Sequence, residues 1–162
     1  MKRKILHPVE DKLVQWSHWA IGWLGVLVLW LACISPVWAI DLAHQPVTDF
    51  QVSLGNPAGE LKFIPDRFTF ESGKRYKLHL TNPSGQKHYF TAKDFADSIW
   101  SQKVDAGQVE IKGAIHELEI RSNAEADWVF VPIRSGQYEL HCSIPGHAEA
   151  GMRGTIVIAS EM

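Results

Sequence analysis

The chain has 162 residues, a formal net charge of −2, 46% hydrophobic and 21% charged residues, and two cysteines. That length suits one domain, and the composition is globular, neither disordered nor a disulfide scaffold. Without a basic stripe, a nucleic-acid partner is excluded.

In chain order, the first feature is the run from Trp19 to Ile34, apolar or glycine throughout, with five of the seven tryptophans in or beside it. Lys2, Arg3 and Lys4 precede it, and Pro36-Val37-Trp38-Ala39 follows with the small-residue spacing a signal peptidase accepts. Apolarity all round a helix suits lipid, not a half-exposed surface. Residues 1–39 therefore read as one N-terminal hydrophobic helix: either a cleaved secretory signal ending at Ala39 or an uncleaved membrane anchor with its basic end in the cytoplasm. Both readings put residues 40–162 in the periplasm or on the outer face of the cytoplasmic membrane. Cys33 falls in this segment, so Cys142 is the single thiol of the exported part, which also carries the acidic surplus.

Residues 40–162 read as an all-β domain. Phe50–Leu54 alternates as a half-buried strand does, and Asn56–Gly59 turns the chain. Short strands follow at Leu61–Ile64 and Phe68–Phe70, then Tyr76–Thr81 after the Ser72-Gly73-Lys74 turn. Asn82-Pro83-Ser84-Gly85 turns again into a strand over His88–Thr91. A short helix is predicted over Lys93–Trp100, with Phe95, Ile99 and Trp100 as its apolar side. Later strands are predicted at Ile115–Ile120, Trp128–Pro132, Gln137–Cys142 and Thr155–Ile158, with Ser122–Asp127 and Arg134–Gly136 between them. This spacing suggests a β-sandwich.

The chemistry is concentrated in Tyr138-Glu139-Leu140-His141-Cys142-Ser143-Ile144-Pro145-Gly146-His147, continuing through Gly151-Met152. A thiolate, an imidazole and a thioether stand at the spacing Cys-x4-His-x4-Met. Pro145-Gly146 and Gly151 let the loop curl so that all three face one point. Thiolate and thioether favour copper, and one Cys, two His and a weak axial Met make a blue-copper site. Zinc would more often take four strong donors, and a Met ligand would be unexpected. The second imidazole has to come from elsewhere. His88 is the candidate, at the start of a strand just after a turn. His79 is predicted to face solvent, and His44 and His116 have no metal-spaced neighbour.

The patterns Asn82-x5-His88-x-Phe90 and Gly136-x-Tyr138-x3-Cys142-x4-His147-x4-Met152 resemble the cupredoxins, the plastocyanin and azurin family, with a ligand loop most similar in length to auracyanin and rusticyanin. The likeness spans Phe50 to Ile158. It implies a Greek-key β-sandwich with one copper ion cycling between Cu(I) and Cu(II), held by His88, Cys142 and His147 with Met152 axial. It also implies a non-enzymatic one-electron carrier, monomeric, whose redox protein partners dock at the apolar surround of His147, with membrane attachment on the anchor reading. Copper storage, delivery or sensing is the alternative function. In multicopper oxidases a His flanks the Cys on both sides. Here only His141 does, Ser143 stands opposite, and no His-x-His pair exists to ligate a trinuclear cluster, so His141 is read as a polar outer-face residue. Where many members of the family have Asn after the first His ligand, bonding toward the residue after the Cys, this chain has Tyr89. Its surroundings at that point must therefore differ.

Overall fold

A computed structural model of the protein describes residues 41–160. The expected N-terminal hydrophobic helix and the division at Ala39 fall outside the described residues. Among those described, eleven strands and one short helix follow in order: β1 (Thr48–Leu54), β2 (Phe63–Ile64), β3 (Arg67–Glu71), β4 (Tyr76–Thr81), β5 (His88–Thr91), α1 (Lys93–Ala96), β6 (Ile99–Ala106), β7 (Val109–Ile111), β8 (Glu117–Ile120), β9 (Glu125–Pro132), β10 (Gly136–His141) and β11 (Arg153–Ala159). No helix among them is long and apolar enough to cross a membrane.

The strands form two sheets, ordered β2-β1-β4-β9-β6-β7 and β3-β11-β10-β5-β8. Strand neighbours in sequence repeatedly change sheet, and two pairs, β1 with β4 and β3 with β11, run parallel. Alternation decides which faces meet. Tyr76, Leu78 and Leu80 of β4 are buried while the residues between them are only partly so, and Phe68 and Phe70 of β3 are buried between exposed neighbours. Burying each such face removes about 1.5–3 kcal/mol of unfavourable hydration per large apolar side chain. The contact between sheets is largely aromatic. Phe70 packs on Tyr76 at 4.7 Å and edge-on against Phe130 at 5.1 Å between ring centroids. Trp128 is fully buried among Phe90, Phe95 and Phe130, and its indole N–H donates to Ser101 Oγ at 2.8 Å.

The all-β sandwich matches the sequence expectation, but the helix does not reach Trp100. Only Lys93–Ala96 is helical, and Ile99 and Trp100 open β6 instead. Ser98 is the stop: its hydroxyl donates back to Asp94 O at 2.7 Å, and its carbonyl accepts from the N–H groups of Ile133 and Arg134. From there β6 pairs along β9, from Ile99 opposite Pro132 to Asp105 opposite Asp127, with a bulge between Ser101 and Lys103. Long-range pairing overrides the local helical pattern. The same partnership explains β7, which pairs on β6. β9 starts at Glu125, earlier than expected, because Glu125–Asp127 pair with β4 across Thr81–His79.

Candidate metal centre

Three elements bring the donor residues together. β5 supplies His88, whose side chain points inward with Phe90 while Tyr89 and Thr91 lie on the other side. The end of β10 supplies Cys142, one residue past the strand, and the loop between β10 and β11 supplies His147 and Met152. One ligand atom from each of His88, Cys142 and His147 lies within 4.8 Å of the others. The Cys142 Sγ stands 3.5 Å from His147 Nδ1, and the two imidazole rings are 5.2 Å apart at 57°.

Backbone hydrogen bonds shape the loop. His147 N–H donates to Ile144 O at 3.0 Å, Met152 N–H donates to His147 O at 2.9 Å, and Cys142 N–H donates to Met152 O at 3.1 Å. These bonds fold Cys142, His147 and Met152 onto one another, as the predicted curl requires. Gly146 has φ +85° and Gly151 φ +110°, conformations L-residues avoid. Met152 is fully buried, and its backbone touches both of the other loop residues.

His88 is positioned from the other side. Asn82, 1% exposed, donates through Nδ2 to Gln86 O and Ile120 O, both at 2.8 Å. Its Oδ1 accepts from the N–H and the hydroxyl of Ser84 at 3.0 and 2.7 Å. The turn that delivers His88 is therefore knotted around one buried amide, which gives a physical meaning to Asn82-x5-His88. Gly55, at φ +82°, closes in on the ring: a Cβ there would stand 3.2 Å from His88 Nε2.

Electrostatics favour a cation-accepting site. Burial, and secondarily the nearby His147, holds the His88 imidazole below its ordinary pKa, which favours the neutral ring with one nitrogen lone pair free to donate. Both ring nitrogens of His88 are buried without a hydrogen-bond partner. Unpartnered buried polar atoms are costly, and a metal ion beside Cys142 and His147 would engage the unprotonated nitrogen of the two. Cys142 is an unpaired, buried thiol, and its Sγ accepts the Tyr89 N–H at 3.4 Å. A soft thiolate with two imidazoles fits copper.

A family model described as copper binding proteins, plastocyanin/azurin family, matches residues 50–159. This chain belongs to that family. Copper is its cofactor, and the sandwich above is a cupredoxin. Comparison with curated proteins gives no match. Among solved structures, the cupredoxin is similar to reduced auracyanin from the photosynthetic bacterium Roseiflexus castenholzii, at 15% identity and TM-score 0.51, over 69% of this chain and 97% of that one. It is also similar to the multicopper oxidase McoA from Aquifex aeolicus, at 16% identity and TM-score 0.52, over 77% of this chain but 32% of that one. At these identities the likeness speaks to fold alone.

The remaining histidines stay apart from the cluster. His79 lies on the face away from Leu78 and Leu80, as expected, and is half-buried there, with Nδ1 2.6 Å from Asp127 Oδ1 across the β4–β9 register. That pairing needed the early start of β9. His44 and His116 lie at the surface beside Asp41 and Asp97. His141 points away from Cys142's side of β10. Its Nδ1 is buried without a hydrogen bond, 3.8 Å from Glu139 Oε1. Gly55 and Glu117 escaped the sequence reading. Neither carries a local signal: Gly55 follows a strand like many turn glycines, and Glu117 alternates with apolar residues as any outward-facing strand residue does.

Proposed function

We propose that this cupredoxin is an exported, mononuclear type 1 copper protein that carries single electrons between redox proteins, with His88, Cys142, His147 and Met152 as ligands. One observation carries the reading: a buried thiol and two imidazoles converge at one end of a rigid sandwich, with both nitrogens of one imidazole left without any partner. Bound there, copper would supply a one-electron Cu(I)/Cu(II) couple. The chain's own residues provide the rest. The packing of His88 Nε2 against Gly55 favours Nδ1 as its donor. Met152, fully buried in the same loop, would offer its thioether as the fourth donor. Burial of His88, Cys142 and Met152 excludes water and competing thiols.

His147 is only partly buried, and Ile144, Pro145, Ala148 and Ala150 stand around it in the loop. An apolar collar of this kind suits the small, transient interface of a redox encounter, and the acidic surplus suits a basic partner reached by steering. The same burial argues against copper delivery, which needs exposed, exchangeable donors. Residues 1–39 would export the domain, as signal or anchor. Among the described residues no second cluster of metal-ligating side chains accompanies the site, which suits a carrier better than an oxidase.

The test is the visible and EPR spectrum of the Cu(II)-loaded protein beside Cys142→Ala. An intense charge-transfer band with narrow copper hyperfine splitting, lost in the variant, supports the ligand set. A pale spectrum indifferent to the substitution refutes it. Copper exchange completed in seconds would move delivery ahead of electron transfer.

A further inference from the structure

Cys142 sits on a thin seam. β10 shares six register pairs with β11, from Gly136 to His141, but a single pair with β5, His141 opposite Thr91. Apart from the Tyr89 N–H that reaches Cys142 Sγ at 3.4 Å, this one pair is all the backbone pairing between the strand of Cys142 and the strand of His88, at the point where two ligands must keep a fixed separation. Tyr89 does not bridge it with its side chain, because its hydroxyl donates to Glu119 of β8 and the Lys87 ammonium contacts both.

Glu117 does bridge it. Glu117, Thr91 and His141 form one row across β8, β5 and β10. Ser143, two residues past His141, comes up on the same outward side. The Glu117 Oε2 accepts from Thr91 Oγ1 at 2.8 Å and from Ser143 Oγ at 2.6 Å. A single carboxylate thus ties β8 and β5 to the residue directly after Cys142. Hydrogen bonds to a charged acceptor are shorter and stronger than neutral ones, and a group that orients a ligand tunes the metal through it.

We propose that Glu117 is a positioning residue for the copper thiolate: through Ser143 it closes the β5–β10 seam and fixes the Cys142 side chain relative to His88. This rests on Cys142 being the thiolate ligand. Glu117 touches no ligand atom itself.

The test uses the full-length chain and the variants Glu117→Ala, Glu117→Gln, Ser143→Ala and Glu117→Ala/Ser143→Ala. The first measurement is the alkylation rate of Cys142 in the copper-free protein, read by peptide mass spectrometry to separate it from Cys33. The second is the rate of copper release to a chelator. Glu117→Ala and Ser143→Ala should each speed alkylation by about five- to tenfold, a charge-assisted bond discounted for its exposure. The double variant should go no faster than either single one, since both remove the same link. Glu117→Gln, which keeps an acceptor oxygen, should recover most of the wild-type rate, and copper release should follow the same order. Wild-type rates in Glu117→Ala, multiplying effects in the double variant, or Glu117→Gln behaving as Glu117→Ala would each overturn the proposal. Alkylation needs no copper, whereas the Cys142→Ala spectrum does, so a failed clamp and a failed ligand assignment give different results.

Discussion

Replacing Asn82 by alanine should cost about 2–6 kcal/mol of stability, worked from the four hydrogen bonds its amide makes at 1% exposure. Two of the four have a fallback. The Ser84 hydroxyl, which donates to Asn82 Oδ1, lies 2.9 Å from Gln86 O and can satisfy that carbonyl once the amide is gone. The other two have none: Ile120 O loses the Nδ2 donor, and the buried Ser84 N–H loses its acceptor. Each stranded buried group costs about 1–3 kcal/mol. Urea unfolding of the copper-free protein, followed by tryptophan fluorescence, would show a midpoint lower by about 1–3 M at unchanged slope, for a slope of about 2 kcal/mol per M. Because the turn delivers His88, copper should also bind more weakly. A stability loss under about 1 kcal/mol would refute the idea that this amide organises the turn, as would a change confined to the slope.

Other outcomes follow from single contacts. Gly55→Ala should lose about 1–2 kcal/mol to its left-handed backbone alone. Since the added methyl meets His88 Nε2, Glu60 O and Ser84 Cβ within 3.3 Å, the visible spectrum of the copper form should shift as well. An unchanged spectrum would mean that Gly55 does not wall the ligand. Trp128→Ala should cost about 3–5 kcal/mol in thermal or urea unfolding, as truncation of a buried aromatic does, while leaving the donor cluster chemically intact. His116→Ala and His44→Ala should retain one copper per chain and the full charge-transfer band, because both histidines lie at the surface beside carboxylates. Copper titration monitored at that band checks this.

Some of this was open to reading along the chain because the physics is local. Cys142, His147 and Met152 lie within one short loop, and the glycines that let it fold stand between them. Donor softness then names the metal from residue types alone. Strand alternation, set by the two-residue period of the pleat, marked most of the sandwich in the same way. His88 was set apart from His79 by its turn and by the alternation that turns His79 away from Leu78 and Leu80, but only the packed sheets show how deeply His88 is buried. The helix predicted through Trp100 failed for the same reason, since the ladder that claims Ile99–Ala106 comes from β9. Likewise Tyr89 announced that the surroundings of Cys142 must differ, without saying how. The answer, Glu117 reaching Ser143 across Thr91, joins residues 26 positions apart through a strand register. Sequence spacing determines which donors a loop can gather, but contacts across a sheet depend on which strands pair and in what register, and that is settled only when the whole core is packed.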